Sequence, residues 1–220
     1  MVQGLVFDMD GLIFDSERVV QRSWNIAGKE LGYERFGEYI YQTIGFNVTR
    51  RIRFFLETVG SDFPYEEFNI RTREIFCEIV DQEGLGIKPG AKELIVYAKK
   101  QGYRLAVATS SRREYAIRNL KEGNLFHLFD GMVCGDMVQN AKPDPEIYLM
   151  ASKLIGLAPQ NCLALEDAPA GVRAAAAAGM PVIVIPDLVW PDDEIRALAT
   201  FQLNSLNEVM ELMRKKELPF

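Results

Sequence analysis

Short apolar runs that each stop at a polar or turn residue recur along the chain. They lie at residues 5–7, 104–110, 131–134, 162–165 and 181–185. Stretches with apolar residues at helical spacing follow most of them, at residues 91–101, 113–123, 145–155 and 170–178. Strands that alternate with helices are typical of a parallel sheet flanked by helices and joined by right-handed crossovers. The pattern therefore predicts an α/β fold.

One long segment, residues 16–86, interrupts this alternation. Its apolar residues recur at helical spacing with little strand signal, for example Ile40, Ile44, Val48, Ile52, Phe55 and Val59. Helices near residues 17–31, 47–59 and 65–83 would form a small antiparallel bundle. Since the segment follows the first predicted strand, we expect a helical domain, residues 16–86, inserted into a core domain of residues 1–15 and 87–220.

Composition and charge narrow the class of protein. Apolar residues make up 48% of the chain, yet no run reaches the roughly 18 apolar residues of a membrane span. The chain has 25 Lys and Arg against 31 Asp and Glu, without the basic patch that is typical of nucleic-acid binding. The amino terminus lacks the features of a secretory signal. We expect a cytoplasmic monomer or small homo-oligomer, with neither a nucleic-acid partner nor a membrane partner.

The three cysteines are Cys77, Cys134 and Cys162. They are odd in number, far apart in the sequence and without zinc-binding spacing, and two of them lie in apolar runs that resemble strands. A disulfide framework or a zinc site would need a different arrangement. We therefore expect buried free thiols in a reducing compartment.

Carboxylates and hydroxyls directly follow three of the predicted strands, and one lysine lies between the third and fourth strands. The first strand runs into Asp8-Met9-Asp10-Gly11, the second into Thr109-Ser110-Ser111 and the fourth into Glu166-Asp167, while Lys142 precedes Pro143. Open parallel sheets bind ligands at the carboxyl ends of their strands, so these groups are expected at one edge. Together they would make a site for a divalent cation and a phosphate group.

Each residue type suits a role in phosphoryl transfer. A carboxylate such as Asp8 can attack phosphorus, and Asp10 could protonate the leaving oxygen and later activate the attacking water or hydroxyl. Mg²⁺ prefers oxygen ligands, which Asp8 and Asp167 could supply. Lys142 would offset the remaining negative charge, and Thr109 would donate a hydrogen bond to a phosphoryl oxygen.

Four sequence motifs, in the same order along the chain, resemble those of the haloacid dehalogenase superfamily. They read FDMDGLIFDSE, VATSS, AKPDPEIY and LEDAPAGVRAA, and the resemblance covers essentially the whole chain. Within the superfamily, the chain is similar to the phosphatase and β-phosphoglucomutase-like branch. This resemblance implies a Rossmann-like parallel-sheet core, an inserted α-helical cap domain, and an aspartyl-phosphate mechanism with Mg²⁺.

The resemblance also implies a role for individual residues. Asp8 matches the nucleophile and Asp10 the general acid and base. The phosphate-binding residues would be Thr109, Ser110 and Lys142. The metal ligands would be Asp8, the backbone carbonyl of Asp10, Asp167, and Glu166 either directly or through water. In the cap, the residues expected to contact the substrate are Gly45, Arg50 and Arg51.

Two related functions fit this resemblance. The first is a phosphatase that acts on a small phosphorylated metabolite, such as a sugar phosphate. The second is a phosphomutase, in which Asp8 returns its phosphoryl group to another hydroxyl of the substrate. β-Phosphoglucomutases have a cap histidine about where Val20 stands, and the only histidine of this chain is His127. This departure favours the phosphatase.

Two other classes of protein explain fewer of the residues. A receiver domain also carries a phosphorylated aspartate, but its acidic pair lies on the first strand and it lacks a helical insertion of this size. A sugar transferase with an Asp-x-Asp metal site would leave Thr109, Lys142 and the Glu166-Asp167 pair without a role. The sequence therefore predicts a Mg²⁺-dependent phosphatase.

Overall fold

A computed structural model describes residues 2–44, 46 and 48–218 of the protein. The chain divides into two compact units, one made of Met1–Asp15 with Gly86–Phe220 and the other of Ser16–Leu85. This division lies within one residue of the expected domain boundary, and the roles of core and cap stay predictions. Among the described residues, no helix is long and apolar enough to span a membrane.

The Ser16–Leu85 unit is helical. Its α1 (Ser16–Glu30) is followed by a 3₁₀ turn (Phe36–Tyr39), α2 (Ile40–Thr43), α3 (Val48–Thr58) and α4 (Tyr65–Glu83). α1 packs against α4, and the Arg22 guanidinium of α1 donates two hydrogen bonds to the Glu83 carboxylate of α4, at 2.8 and 2.7 Å. The helical content of this segment agrees with its apolar spacing.

Aromatic rings form the interior of this helical unit. Phe36 stacks on Phe55 with ring centroids 5.1 Å apart, and Trp24 meets Phe55 edge to face at 5.4 Å. Phe63 and Phe68 pack against the same rings, and all five side chains are buried. Aromatic pairs contribute about 0.5–1.5 kcal/mol beyond the burial of their surface. Ring packing therefore stabilises the unit.

The other unit contains a six-stranded parallel sheet within the described residues. Its strands are β1 (Gly4–Phe7), β2 (Arg104–Thr109), β3 (Gly131–Cys134), β4 (Cys162–Glu166), β5 (Val182–Val184) and β6 (Phe201–Gln202). The strand order is β3-β2-β1-β4-β5-β6, and each pairing is parallel. The order changes direction beside β1, and such a switch point is where open α/β sheets bind ligands. The predicted α/β fold is confirmed.

Helices accompany the strands of this sheet. They are α5 (Ala91–Lys100), α6 (Arg113–Glu122), α7 (Glu146–Leu154), α8 (Pro169–Ala177), α9 (Asp193–Leu198) and α10 (Leu206–Lys215). The central strand β1 is apolar throughout and fully buried at Leu5, Val6 and Phe7, as expected of a parallel strand covered on both faces. Small buried residues of α8, Ala174 and Ala175, belong to the same core cluster as Val6.

The helical insertion leaves and re-enters the sheet unit at one place. Phe14 forms an isolated bridge with Ile87, and the Asp15 N–H donates to the Gly86 carbonyl oxygen at 2.8 Å. The Lys88 N–H donates to the carbonyl oxygen of Ile13, also at 2.8 Å. The two connecting segments therefore run side by side and are hydrogen-bonded to each other.

The structure corrects several details of the sequence analysis. β4 extends one residue further than predicted and includes Glu166, and α7 begins at Glu146 rather than at residue 145. β6, α9 and α10 had no counterpart in the predicted pattern. The predicted start of a helix at Asn47 lies outside the described residues, and α3 begins at Val48. Val48 is 61% exposed, so the predicted apolar spacing does not form one continuous buried face.

The prediction of buried free thiols holds for two of the three cysteines. Cys134 on β3 and Cys162 on β4 are buried and free, and burial raises the pKa of each thiol to about 11. Cys77 is also free but exposed, so its predicted burial is wrong. It lies on α4 beside apolar residues that face the interior, and its own position faces solvent.

We predict that Phe55→Ala lowers the free energy of unfolding of the helical unit by about 3–5 kcal/mol, because a fully buried ring is removed. Trp24 packs against Phe55, whereas Trp190 is 62% exposed, so tryptophan fluorescence during urea unfolding reports mainly on this unit. The control is Ile70→Ala on α4, an exposed position where the loss should stay below about 1 kcal/mol. Equal losses in the two variants would contradict the importance of the ring cluster.

Candidate active site

The carboxyl ends of three neighbouring strands bring the predicted site residues to one edge of the sheet. Asp8 directly follows β1, Thr109 ends β2 and Glu166 ends β4. β1 pairs with both other strands, and the Asp8 N–H donates to the Leu165 carbonyl oxygen at 2.9 Å. Asp8 therefore stands at the switch point of the sheet, between the hydroxyl of one neighbouring strand and the carboxylate of the other.

A tight turn follows Asp8 and carries Asp10. Gly11 has a φ of +82°, in the left-handed region that favours glycine, and its N–H donates to the Phe14 carbonyl oxygen at 2.9 Å. A Cβ atom at Gly11 would overlap the carboxylate of Asp167. Glycine is therefore needed here both for the turn and for the close approach of the Asp167 side chain.

Lys142 is the cation that links the strand ends. Its Nζ donates to Asp8 Oδ1 and Glu166 Oε1, both at 2.6 Å, and to the Ala108 carbonyl oxygen at 3.0 Å. The side chains of Lys142, Asp8 and Glu166 are only 6%, 10% and 1% exposed. Burial disfavours the charged lysine, but the two carboxylates outweigh this effect and raise the pKa of Lys142. The ammonium therefore stays charged.

Asp8 is a buried carboxyl group in a crowded negative environment. Loss of solvation raises the pKa of Asp8 to about 8, and the charges of Glu166 and Asp10 act in the same direction. The positive charge of Lys142 opposes the shift without cancelling it. A second cation beside Asp8 would lower this pKa and keep the carboxylate ionised near neutral pH.

Three carboxylates of this edge could hold a metal ion. Asp8, Glu166 and Asp167 each offer an oxygen atom, and these atoms lie within 4.8 Å of one another. Hard divalent cations such as Mg²⁺ bind through oxygen ligands of this kind. The residues therefore fit a divalent cation, while the predicted ligand set, including the Asp10 carbonyl, stays a prediction.

Three hydroxyl groups donate hydrogen bonds to the Asp10 carboxylate. Ser111 Oγ donates to Asp10 Oδ2 at 2.7 Å, Thr109 Oγ1 donates to the same oxygen at 3.3 Å, and Tyr115 OH donates to Oδ1 at 3.3 Å. Thr109 Oγ1 also accepts a hydrogen bond from the Ser111 N–H at 3.0 Å. The Thr109 hydroxyl thus contacts Asp10, and its predicted bond to phosphate stays a prediction.

Three residues donate hydrogen bonds to the carboxylates of the site, and the sequence analysis did not predict these contacts. Ser111 and Tyr115 contact Asp10, and Tyr148 OH donates to Glu166 Oε1 at 2.6 Å. Burial, and then the charge of Glu166, raises the pKa of Tyr148 well above its ordinary value. The only signal for Tyr148 was its place in the AKPDPEIY motif, where it resembles an ordinary core aromatic.

The remaining predicted site residues are not tested by these contacts. Ser110 directly follows β2 and is exposed. Arg50 and Arg51 belong to α3 of the helical unit, where the Arg50 guanidinium lies 3.8 Å from the ring centroid of Phe46. Gly45 lies outside the described residues. Phosphate binding by Ser110 and substrate contacts by Gly45, Arg50 and Arg51 therefore stay predictions.

Comparison with known proteins gives consistent results. Residues 5–185 match the haloacid dehalogenase-like hydrolase family. The chain is 33% identical over 190 residues to hexitol phosphatase A of Escherichia coli, covering 83% of this chain and 82% of that protein. It is 29% identical over 183 residues to the phosphorylated carbohydrates phosphatase of Thermotoga maritima, covering 81% and 82%. The crystal structure of CbbY from Rhodobacter sphaeroides in complex with phosphate has a TM-score of 0.74 at 29% identity, covering 95% of this chain and 96% of that one.

We predict that Lys142→Met lowers the free energy of unfolding by about 3–5 kcal/mol in metal-free buffer, because it leaves two buried carboxylates without their cation. The matched control is Lys99→Met. Lys99 binds Asp130 at 2.6 Å, but both side chains are about one-third exposed, and such pairs contribute less than about 1 kcal/mol. Denaturant unfolding of both variants measures the difference. A loss for Lys142→Met no larger than that for Lys99→Met would contradict this account of the buried triad, which consists of Lys142, Asp8 and Glu166.

Proposed function

The chain belongs to the haloacid dehalogenase-like hydrolase family, as its motifs predict, and we propose that it is a Mg²⁺-dependent phosphatase of a small phosphorylated metabolite. The observation that carries the proposal is Asp8 at the end of β1, bound to Lys142 and grouped with the carboxylates of Asp167 and Glu166. A nucleophile, a fixed cation and an acidic metal site at one sheet edge suit phosphoryl transfer. Two relatives named as phosphatases of hexitols and phosphorylated carbohydrates support a sugar phosphate as the substrate.

In the first step, a carboxylate oxygen of Asp8 attacks the phosphorus atom of the substrate. The bond between phosphorus and the substrate oxygen breaks, and this oxygen takes a proton from Asp10. The product alcohol leaves, and Asp8 carries the phosphoryl group as an acyl phosphate. Lys142, which is held on Asp8 Oδ1 at 2.6 Å, offsets the negative charge brought by the phosphoryl group.

In the second step, Asp10 is a carboxylate and takes a proton from water while the water oxygen attacks phosphorus. The bond between phosphorus and the Asp8 oxygen breaks, which releases inorganic phosphate and restores both aspartates. The hydroxyls of Ser111 and Tyr115 donate hydrogen bonds to the Asp10 carboxylate. These hydrogen bonds fix the orientation of the carboxylate.

Asp8, Asp167 and the backbone carbonyl of Asp10 would hold the cation, and the Glu166 carboxylate lies beside them. When bound, Mg²⁺ supplies positive charge that offsets the repulsion between Asp8 and the phosphate group. The raised pKa of Asp8 supports this requirement, because an un-ionised carboxyl group is a poor nucleophile.

The test is a screen of hexose, pentose and hexitol phosphates with Mg²⁺ that measures inorganic phosphate and isomerised sugar phosphate in the same samples. We expect release of phosphate and little conversion of β-glucose 1-phosphate to glucose 6-phosphate in the presence of catalytic bisphosphate. The physical reason is that Val20 stands where the related mutases have a proton-exchanging histidine. Faster accumulation of glucose 6-phosphate than of inorganic phosphate would contradict the phosphatase proposal and support a phosphomutase.

Asp8→Asn should abolish turnover in this screen, because an amide cannot form an acyl phosphate. Circular dichroism of the variant should match the wild type, which separates loss of the nucleophile from loss of the fold. Phosphate release within about tenfold of the wild-type rate would exclude Asp8 as the nucleophile.

We predict that Asp10→Asn slows the hydrolysis of a sugar phosphate by about 10²–10⁴-fold, the range of general acid–base catalysis. With p-nitrophenyl phosphate, whose leaving group needs no acid, the variant should give a burst of one nitrophenolate per enzyme before slow turnover. The control is Asp193→Asn, because the Asp193 side chain is 96% exposed. Wild-type turnover of both substrates by Asp10→Asn would reduce Asp10 to a structural role.

A further inference from the structure

Both carboxylate oxygens of Glu166 accept hydrogen bonds from the protein. Oε1 accepts from Lys142 Nζ and from Tyr148 OH, each at 2.6 Å. Oε2 accepts from the backbone N–H groups of Asp167, at 3.1 Å, and Ala168, at 3.2 Å. A carboxylate offers about four lone-pair positions, and these four donors fill them. In this arrangement Glu166 has no lone pair left for a cation.

Counting hydrogens shows which group donates between Tyr148 and Glu166. The ammonium of Lys142 has three hydrogens, and its three shortest contacts are Asp8 Oδ1, Glu166 Oε1 and the Ala108 carbonyl oxygen, at 2.6, 2.6 and 3.0 Å. The Tyr148 oxygen is further from Nζ, at 3.4 Å. The hydrogen of the phenol itself therefore forms the bond to Glu166.

The surroundings of Tyr148 and Glu166 leave little freedom to either side chain. Tyr148 is the third residue of α7 and is fully buried in the core of the sheet unit. Lys142 lies a few residues earlier in the same segment, so one piece of chain supplies both the amine and the phenol. On α8, a Cβ atom at Gly171 would overlap the Glu166 carboxylate, so this helix packs directly against it.

We propose that Tyr148 is a positioning residue for phosphoryl transfer, whose hydroxyl holds Glu166 as the fixed partner of Lys142 and not as a ligand of the cation. The proposal rests on the proposed phosphatase function. Asp8, Asp167 and the Asp10 carbonyl would then hold the cation. Without the phenol hydroxyl, Glu166 Oε1 keeps only its bond to Lys142, while Oε2 stays on the two backbone N–H groups. The Oε1 end of the carboxylate is then held less firmly, and Lys142 Nζ is placed less precisely on Asp8 Oδ1.

The test compares Tyr148→Phe, Glu166→Gln and the double variant, with Tyr103→Phe as the matched control. Tyr103 directly precedes β2, at the opposite end of the strand from Thr109. With p-nitrophenyl phosphate, we expect Tyr148→Phe to lower kcat by about 10- to 100-fold, the equivalent of one hydrogen bond to a charged group. The dissociation constant of Mn²⁺, measured by electron paramagnetic resonance without substrate, should stay within about twofold of wild type.

The double variant shows whether Tyr148 acts through Glu166. If it does, kcat of the double variant should lie within about twofold of Glu166→Gln alone, because the hydroxyl has lost the charged group that it positions. Losses that multiply would overturn the proposal, as would a kcat of Tyr148→Phe equal to that of Tyr103→Phe. A rise of more than about tenfold in the Mn²⁺ dissociation constant of Tyr148→Phe would instead make Glu166 a cation ligand.

If Tyr148→Phe does not fold, Glu166→Gln alone still decides the role of Glu166. Loss of kcat with Mn²⁺ affinity kept within about fivefold supports the proposal, and loss of affinity beyond about tenfold overturns it. The phosphatase activity of the wild type and of Tyr103→Phe tests the proposed function separately from the role of Glu166. If neither of them hydrolyses phosphomonoesters, the phosphatase proposal itself fails, whatever the Tyr148 variants do.

Discussion

A lysine ammonium buried between two carboxylates fixes the layout of the sheet edge. Burying a charged group without a partner costs on the order of several kcal/mol, because the group loses its solvation by water. A partner of opposite charge offsets this cost. Asp8 comes from β1, Glu166 from β4 and Lys142 from the loop before α7, so three separate segments must meet for the charges to pair. A slip of one residue between the two strands would move one carboxylate away from the ammonium. The pairing of the strands and the geometry of the site therefore depend on each other.

The two aspartates of the first motif differ because their surroundings differ. Asp8 is buried against an ammonium, while Asp10 is half-buried and accepts hydrogen bonds from hydroxyls. Groups of the same chemical type divide acid, base and nucleophilic roles when their environments separate them in this way. The turn at Gly11 makes the separation possible, since it directs the second carboxylate to β2 and α6 rather than to Lys142.

The fold, and the meeting of Asp8, Lys142 and Glu166 at one edge of the sheet, could be predicted from the sequence because both depend on local pattern. A short apolar run that stops at Asp8 predicts a buried strand without knowledge of the strands that pair with it. Because the strands of an alternating α/β pattern are parallel, the motifs that follow them are expected at one edge of the sheet. The contacts of Ser111, Tyr115 and Tyr148 could not be predicted, because they depend on the direction in which a loop or a helix presents a hydroxyl group. β6 was missed because Phe201–Gln202 is too short to show a period. Cys77 was predicted to be buried because the three cysteines were interpreted together, although only Cys134 and Cys162 lie in strand-like runs; Cys77 is exposed on α4.

The hydrogen bonds that join residues 13–15 to residues 86–88 have an evolutionary consequence. Because the two ends of the helical unit already lie side by side, the chain could be spliced there with almost no change in loop-closure entropy. A longer bundle, a different bundle or a short turn could take the place of Ser16–Leu85, and the strand order would not change. The sheet with its buried triad can thus be inherited as one piece while the inserted segment diverges separately.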